Sequence, residues 1–305
     1  MSIWHIYGGN RLTGSTRVQG AKNAVLPIMA ASVLSGGETV LHNVPDLRDV
    51  TTTLRILQHL GCTAVRDGDT VRIDSRGMHC DFIPHALMRE LRSSVIFLGA
   101  ILARFGTARL SMPGGCELGP RPVNLHLDAL RALGAEVTER GGDIICRAHA
   151  LQGRRILLPF PSVGATENAM LAACAAAGET VICNAAREPE IADLQCYLRK
   201  LGADISGAGT STVTVGGFRP RPFVEHTIMP DRIVAATILC AAAACGGEVE
   251  LQDVDPAHFS TVLDSLSEAG CAIITTASAV RLTSDGQLTA PRPVVTQPYP
   301  GFPTD

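Results

Sequence analysis

Aromatic residues and long apolar runs are both scarce in this sequence. Aromatic side chains make up 4% of the 305 residues, and there is one tryptophan. The longest apolar run, residues 233–245, is alanine-rich and shorter than the roughly 20 residues that a membrane-spanning helix needs. The amino-terminal residues lack the basic stretch and apolar run of a secretory signal. We therefore predict a cytoplasmic protein with no membrane partner, in which residues 233–245 form a buried helix.

Positive charge is not in excess either. Lysine and arginine number 26 against 29 aspartate and glutamate residues, which gives a formal net charge of −3. Nucleic acids and anionic membranes are bound by surplus basic charge, so neither partner is expected. Any site for an anion must come from a local arrangement of groups.

Paired cysteines are missing, although the chain has ten cysteines. No C-x-x-C pair occurs, and most of the cysteines stand in apolar or periodic segments. Scattered cysteines of this kind are typical of reduced core thiols rather than of disulfides or a zinc site. We predict that role for nine of the ten, with Cys116 as the exception, and we expect no metal and no cofactor.

A repeated unit of about 70 residues is the main pattern that is present. In each unit one helix ends at a glycine that is followed by Ala or Cys. A second glycine follows the alanine-rich helix and recurs with about the same spacing. Each unit is predicted as an alanine-rich helix, a strand, an amphipathic helix and a hairpin. Chance periodicity and a solenoid are the alternatives, but solenoid units are typically shorter, roughly 20 to 50 residues. The first glycine set is Gly61, Gly134, Gly202 and Gly270, and the second is Gly37, Gly106, Gly178 and Gly247.

Unusual polar residues gather where each unit begins its first helix. Equivalent helix starts converge in a pseudo-symmetric assembly, and their free N–H groups attract anions, so a phosphorylated substrate is implied. Ser162 is also explained as an ordinary N-cap. Cations oppose the helix dipole at such a position, which indicates a bound anion or a carboxylate partner for them. The residues at these starts are Lys22, Arg92, Ser162, Asp231 with Arg232, and Asp305.

A glycine- and proline-rich loop occupies residues 112–126 of the second unit, where the other units have shorter connections. It contains three Gly and three Pro residues. A loop of this composition belongs at the surface, and it places the thiol of Cys116 close to Arg121 in sequence, which is typical of reactive cysteines.

Seven motifs along the chain resemble those of the UDP-N-acetylglucosamine enolpyruvyl transferases. The P-G-G-C loop is the specific element, because the related 3-phosphoshikimate enolpyruvyl transferases share the architecture and the Lys-Asn pair but lack this loop. The resemblance implies an α/β fold, the inside-out α/β barrel of these transferases, built from βαβαββ units of about 70 residues. The motifs are G-A-K-N at 20–23, P-G-G-C at 113–116, R-P-V-x-L-H at 121–126, S-V-G-A-T at 162–166, A-R-E-P-E at 186–190, P-D-R-I at 230–233 and F-P-T-D at 302–305.

The resemblance also implies the two substrates, phosphoenolpyruvate and UDP-N-acetylglucosamine, and the residues that hold them. Asn124 stands where the family usually has Asp, and Phe160 where Lys is common. Glu188 and Glu190 are expected to cap the following helix or to pair with Arg187 rather than to touch substrate. Phosphoenolpyruvate is assigned to Lys22, Asn23 and Arg121, and the nucleotide sugar to Arg92, Arg121, Pro122, Val123, Asn124, Leu125, Ser162, Val163, Gly164 and Asp305.

The implied reaction transfers the enolpyruvyl group to the 3-hydroxyl of the sugar and releases phosphate, the first committed step of peptidoglycan precursor synthesis. Cys116 is expected to be the general acid, able to form a covalent adduct with phosphoenolpyruvate, and Asp305 is expected to be the base. Two alternatives stay open: transfer to 3-phosphoshikimate, and a truncated, non-catalytic protein that binds a nucleotide sugar.

The implied domain organisation is two domains of three units each, of which this chain would carry one and a part. Residues 22–229 are predicted to be the complete domain, and residues 1–21 with 230–305 an incomplete second domain that lacks its C-terminal units. The later arginines that bind phosphoenolpyruvate in the family would then be absent. We expect this 305-residue chain alone to be nearly inactive and to expose apolar surface where further units pack.

Overall fold

The computed structural model describes residues 3, 5, 7–111 and 123–304, with the side chain of Arg92 left out. It divides into two compact units, Lys22–Met229 and Met1–Ala21 with Pro230–Asp305. Four of the predicted site residues lie outside the described residues: Cys116, Arg121, Pro122 and Asp305.

The strands and helices alternate in the order that the repeat predicts. The strands are β1 (Leu12–Arg17), β2 (Glu38–His42), β3 (Thr63–Asp67), β4 (Thr70–Asp74), β5 (Phe82–Ile83), β6 (Thr107–Ser111), β7 (Glu136–Arg140), β8 (Asp143–Arg147), β9 (Arg155–Leu157), β10 (Thr180–Cys183), β11 (Ala203–Ser206), β12 (Thr212–Phe218), β13 (Phe223–Thr227), β14 (Gly247–Gln252), β15 (Ala272–Thr275) and β16 (Ala279–Ser284). The α-helices are α1 (Lys22–Ala31), α2 (Arg48–His59), α3 (His85–Glu90), α4 (Phe97–Phe105), α5 (Asn124–Ala132), α6 (Val163–Ala173), α7 (Pro189–Leu201), α8 (Arg232–Cys245) and α9 (Ser260–Glu268), and 3-10 turns cover Ser32–Leu34, Arg92–Ile96 and Pro256–Phe259.

The strands form four sheets of one design. Each sheet has four strands, in the orders β13-β2-β4-β3, β5-β6-β8-β7, β9-β10-β12-β11 and β1-β14-β16-β15. The first two strands of each order are parallel and the remaining neighbours are antiparallel. In the second and third sheets the alanine-rich helix is the crossover that joins the parallel pair, and in all four sheets the last two strands form the predicted hairpin. Each repeat is therefore a βαβαββ unit.

The first strand of a repeat is exchanged between the two compact units. β1 precedes α1 in the chain, yet β1 pairs with β14, and it is β13 that pairs with β2. The unit Lys22–Met229 thus contains three complete repeats, the first of which receives its parallel edge strand from the far end of the unit. The other unit contains one repeat, built from β1 and residues 230–284.

Glycine ends the second helix of every repeat in a left-handed conformation, as predicted. A positive φ is strained for residues with a side chain, so glycine is the residue that closes a helix in this way. The φ angles are 97° at Gly61, 95° at Gly134, 111° at Gly202 and 103° at Gly270.

A second left-handed position follows the central strand, and here the residue is Asn or Asp. These residue types tolerate positive φ better than other non-glycine residues. In each case the side chain reaches the end of the parallel edge strand, which ties the two parallel strands together. The pairs are Asn43 (φ 57°) with the Ile228 carbonyl at 3.0 Å, Asn184 (φ 55°) with the Leu158 carbonyl at 2.9 Å, and Asp253 (φ 55°) with the Arg17 guanidinium.

The alanine-rich helices form the core of the three-repeat unit. α6 is buried from Ala165 to Ala173, and α1 is buried from Ala24 to Ala31. α4 packs against both of these helices. Such helices have no polar face for solvent, so they must be surrounded by protein.

The helix at residues 233–245, predicted to be buried, is only partly so. α8 buries Ala235, Leu239 and Ala242 but exposes Cys240 and Cys245. Its main neighbours all belong to its own repeat, whereas α1 and α6 also pack against helices of other repeats. No helix among the described residues is long and apolar enough to cross a membrane.

The cysteine prediction is correct for part of the set. Among the described cysteines, Cys196, Cys240 and Cys245 are exposed and Cys80 is intermediate, which corrects the expectation of core thiols for these four. Cys196 lies on the outer face of the amphipathic α7, and the other two exposed thiols lie on the uncovered side of α8. The buried thiols are Cys62, Cys146, Cys174, Cys183 and Cys271.

Two cap glycines of the same unit give a matched test of the fold. A Cβ added at Gly202 would lie 1.9 Å from the Arg219 carbonyl oxygen, whereas at Gly134 the nearest such atom, the Ala150 carbonyl oxygen, is 4.0 Å away. We expect Gly134→Ala to lower the free energy of unfolding by about 1 kcal/mol through backbone strain alone. Gly202→Ala should lower it by about 3 kcal/mol, because backbone must also move. Urea unfolding measures both, and equal losses would contradict the close approach at Gly202.

Candidate functional site

The predicted helix starts of the three-repeat unit are helix starts in the structure. α1 begins at Lys22, a 3-10 turn begins at Arg92, and Ser162 is the N-cap of α6. The turn at residues 92–96 packs against both α1 and α6, and α5, which follows Val123, packs against α6. The described segments that the sequence assigns to the two substrates therefore belong to elements that form a chain of contacts, from α1 through the 92–96 turn and α6 to α5.

Lys22 has a carboxylate neighbour, which is one of the two explanations expected for a cation at a helix start. Its Nζ lies 3.8 Å from a carboxylate oxygen of Asp49, and 46% of its side chain is exposed. An ion pair this long and this exposed contributes little stability. The ammonium group is thus accessible at the start of α1, and the adjacent Asn23 is half-buried.

The turn before α6 combines a capping hydroxyl with accessible backbone. The Ser162 Oγ accepts a hydrogen bond from the Ala165 N–H at 3.4 Å, so the N-cap explanation holds. Val163 and Gly164 are half-buried, and the Phe160 ring, where the family commonly has a lysine, is 57% exposed. An apolar ring therefore stands at a surface position beside the turn.

The described part of the second segment predicted to bind the nucleotide sugar, residues 123–125, lies at the start of α5. Val123 is the N-cap residue, Asn124 is exposed as the first helical residue, and Leu125 is half-buried. The Val123 side chain makes no capping hydrogen bond.

His126 is a residue of this site that the sequence analysis did not assign. Burial lowers the pKa of His126 to about 4, so the imidazole is neutral at physiological pH. A Cβ added at Gly164 would lie 2.7 Å from the His126 Cε1 atom, so glycine is what allows the ring to lie against the α6 turn. The sequence did give one indication of its role: His126 stands directly after the predicted nucleotide-sugar segment, which ends at Leu125.

Three carboxyl groups lie close together behind the same turn, and the sequence analysis considered only two of them. Burial, together with the nearby carboxylates of Glu190 and Glu188, raises the pKa of Glu167 well above its ordinary value. Glu167 therefore stays protonated at pH values at which exposed glutamates are ionised. Glu188 is the N-cap residue of α7 as expected, but its side chain makes no capping hydrogen bond, and Glu190 is buried at 2% exposure.

The other unit supplies one predicted helix start. Asp231 caps α8, since its Oδ1 accepts hydrogen bonds from the N–H groups of Ile233 at 2.9 Å and Val234 at 3.1 Å. The Arg232 guanidinium lies over the Tyr299 ring, 5.5 Å from its centre.

Comparison with known sequences places this chain among named relatives. Residues 6–305 match the family described as EPSP synthase (3-phosphoshikimate 1-carboxyvinyltransferase). UDP-N-acetylglucosamine 1-carboxyvinyltransferase 2 of Caldanaerobacter subterraneus subsp. tengcongensis is 46% identical over 305 residues, which cover 100% of this chain and 73% of the relative. UDP-N-acetylglucosamine 1-carboxyvinyltransferase 1 of Symbiobacterium thermophilum is 48% identical over 98% of this chain and 69% of its own length.

Solved structures confirm the predicted fold class. The enolpyruvyl transferase NikO from Streptomyces tendae has a TM-score of 0.85 and 26% identity, covering 98% of this chain and 72% of its own. EPSP synthase from Acinetobacter baumannii has a TM-score of 0.67 at 20% identity, covering 92% and 66%, a likeness that shows the fold alone.

Because Glu167 stays protonated in the folded protein, we predict a specific dependence of stability on pH. The unfolded carboxyl releases its proton near pH 4.5, while the folded one keeps it to higher pH. The contribution of Glu167 to stability is thus full below about pH 4.5 and is lost as pH rises toward its folded pKa. Glu167→Gln has no proton to lose, so its melting temperature relative to the wild type should rise between pH 5 and pH 8.

Glu179→Gln is the control, because Glu179 is exposed in the same unit. Its melting temperature should follow that of the wild type across the same range. If Glu167→Gln also ran parallel to the wild type, Glu167 would not be held protonated by the fold.

Proposed function

Because this chain belongs to the EPSP synthase family of enolpyruvyl transferases, we propose that it transfers the enolpyruvyl group of phosphoenolpyruvate to the 3-hydroxyl of UDP-N-acetylglucosamine and releases phosphate. The observation that carries the proposal is the 43–48% identity to enzymes named for this reaction, along nearly the whole chain. The same reaction follows from the motif resemblance.

The choice of acceptor rests on two differences from the 3-phosphoshikimate enzymes. The solved EPSP synthases are 20% identical to this chain, less than half the identity of the UDP-N-acetylglucosamine relatives. The P-G-G-C loop at residues 113–116 is the second difference. Transfer to 3-phosphoshikimate is therefore the second candidate.

The proposed chemistry needs an acid and a base on opposite sides of phosphoenolpyruvate. Cys116 would donate a proton to the methylene carbon while the sugar 3-hydroxyl attacks C2 and Asp305 accepts the hydroxyl proton. The tetrahedral adduct then loses phosphate from C2 and a proton from the former methylene carbon, which restores the double bond. Cys116 is also able to add to C2 as a nucleophile and hold phosphoenolpyruvate covalently.

The proposed binding groups are those that the sequence assigned. Lys22, Asn23 and Arg121 would hold phosphoenolpyruvate, and the accessible Lys22 ammonium at the start of α1 supports this. The nucleotide sugar would lie against the segments at residues 92–96, 121–125 and 162–164, and Asp305 would face its reacting hydroxyl. The contacts of the 92–96 turn and of α5 with α6, the helix that Ser162 caps, support that placement.

The domain assignment and the cellular role are also proposed. Residues 22–229, with three repeats, would be a complete domain of the family, and residues 1–21 with 230–305 would belong to a second domain. Such an enzyme would work in the cytoplasm at the first committed step of peptidoglycan precursor synthesis, and cell shape and division would depend on it through the wall.

Binding and turnover measured together test the function. We expect calorimetry to show binding of UDP-N-acetylglucosamine but not of 3-phosphoshikimate, and any orthophosphate release from phosphoenolpyruvate to require the nucleotide sugar. Release with 3-phosphoshikimate would move the assignment to the second candidate. Binding with no release at all would favour the non-catalytic nucleotide-sugar-binding alternative.

Replacement of Cys116 tests the acid assignment in a preparation that releases phosphate. Cys116→Asp should retain turnover, because a carboxylic acid is a proton donor. Cys116→Ser should lose about 100-fold or more, since a hydroxyl is a far weaker acid and acid catalysis is worth ~10²–10⁴. Initial rates of phosphate release measure both, and a serine variant as fast as the wild type would end the assignment.

A further inference from the structure

Asn168 is a fully buried amide in the middle of α6, at a position where the other two repeats of the unit Lys22–Met229 are aliphatic. Counted from the equivalent helix starts at Lys22, Arg92 and Ser162, the matching residues are Ile28 and Leu98. All three side chains are 0% exposed. Burying an amide costs free energy unless its hydrogen bonds are made, so this exception needs a compensating role.

Two backbone groups of fixed polarity set the orientation of the Asn168 amide. The Gly99 N–H, which can only donate, lies 2.7 Å from Oδ1, and the Val95 carbonyl, which can only accept, lies 3.1 Å from Nδ2. The amide oxygen therefore faces α4 and the amide nitrogen faces the 92–96 turn. The opposite flip would place like polarities together at both contacts.

The fixed amide in turn fixes the tautomer of His126. The second hydrogen on the Asn168 Nδ2 points to the His126 Nδ1, 2.7 Å away. An amide N–H can only donate, so the His126 Nδ1 must be the unprotonated nitrogen, and the proton of the neutral ring sits on Nε2. That nitrogen lies on the Gly164 side, 3.1 Å from where a Cβ of residue 164 would be.

Asn168 thereby joins three segments of the candidate nucleotide-sugar site. It belongs to the helix that follows Ser162–Gly164, it holds the Val95 carbonyl of the turn that begins at Arg92, and it holds the ring that follows Val123–Leu125. We propose that Asn168 is a positioning residue for the nucleotide sugar, because it locks these segments together and aims the His126 Nε2–H beside Gly164 as a hydrogen-bond donor for an acceptor oxygen of that ligand.

Close packing around the amide supports a rigid rather than an adjustable arrangement. A Cβ at Gly99 would lie 2.5 Å from the backbone carbonyl oxygen of Asn168, so α4 and α6 approach closely at this level. Both amide hydrogens and the amide oxygen are used, which leaves no other orientation with equal hydrogen bonding. The inference rests on the proposed function for the identity of the ligand and on geometry for the tautomer.

Asn168→Asp is the sharpest variant, since it keeps the shape and removes the two donors. The carboxylate still accepts from the Gly99 N–H, but its other oxygen faces the lone pairs of the Val95 carbonyl and the His126 Nδ1. His126 is then expected to carry a proton on Nδ1. Nitrogen-15 NMR of the ring should show an unprotonated Nδ1 and a protonated Nε2 in the wild type at pH 7, and a protonated Nδ1 in the variant.

Ligand titration tests the positioning role. Calorimetry with UDP-N-acetylglucosamine should show at least about 10-fold weaker binding by Asn168→Asp, whereas phosphoenolpyruvate binding should change less than about 2-fold. Tyr197→Phe is the matched control, because it removes another fully buried side-chain hydrogen bond of the same unit, 2.8 Å to Thr39. It should lower the melting temperature without changing either affinity.

The outcomes separate this inference from the proposed function. A wild-type Nδ1 that is protonated overturns the inference whether or not the variant folds. Unchanged UDP-N-acetylglucosamine affinity in a folded Asn168→Asp also overturns it, while the function stands. Failure of the wild type to bind UDP-N-acetylglucosamine overturns the proposed substrate, and with it the positioning role.

Discussion

The burial of three helices without a polar face is the constraint on which the three-repeat unit depends. α1, α4 and α6 carry alanine and other apolar residues around most of their circumference, so each must be covered on all sides. This requirement is met when the three helices lie together at the centre and the sheets surround them. The amphipathic helices and the sheets then turn their polar faces outward. In the same arrangement the 92–96 turn, which leads into α4, packs against both α1 and α6. α8 shows the converse: with one repeat in its unit, an equally apolar helix keeps exposed residues.

Strand exchange gives the three-repeat unit its closure. Because β13 rather than β1 pairs with β2, the first and last segments of residues 22–229 are held in one sheet. The end of β13 is fixed further by His226, whose Nε2 lies 2.9 Å from an Asp193 carboxylate oxygen, and by the Met229 N–H, which donates to the other carboxylate oxygen at 3.2 Å. The segment where the chain leaves this unit is thus bonded to α7. A unit closed in this way does not depend on the order of its repeats in the sequence.

The repeat and its helix ends could be predicted from the sequence because they depend on local chemistry. The glycines that end the second helices with φ near 100° recur at spacings of 73, 68 and 68 residues and so reveal the repeat, whereas the barrel fold was implied by the motif resemblance. The repeat pattern alone does not predict the exchange of β1 and β13, since both strands fit the same edge position; only the domain division implied by the family resemblance, 22–229 against 1–21 with 230–305, contained it. Asn168 was missed because a polar residue in an otherwise apolar helix does not by itself indicate a site, and His126 was missed although it stands directly after the segment that ends at Leu125. Alignment of the repeats could have identified Asn168, because the equivalent residues of the other two repeats are Ile28 and Leu98.

Glu167 and Asn168 show that α6 departs from its sister helices at one level. Neighbouring polar residues in a buried helix are destabilising unless each is neutralised, and the two are neutralised differently: Glu167 keeps its proton, whereas Asn168 fills all its hydrogen bonds. α1 has Pro27 and Ile28 at this level and α4 has Phe97 and Leu98, so the fold itself does not require polar groups there. Pseudo-symmetric repeats thus provide an internal comparison, in which a polar pair that appears in one repeat marks a demand other than packing. Asn168 bonds to His126 of α5 and to the Val95 carbonyl of the 92–96 turn, and Glu167 interacts with the carboxylates at the start of α7, so the departure from symmetry occurs beside segments that are proposed to hold the ligand.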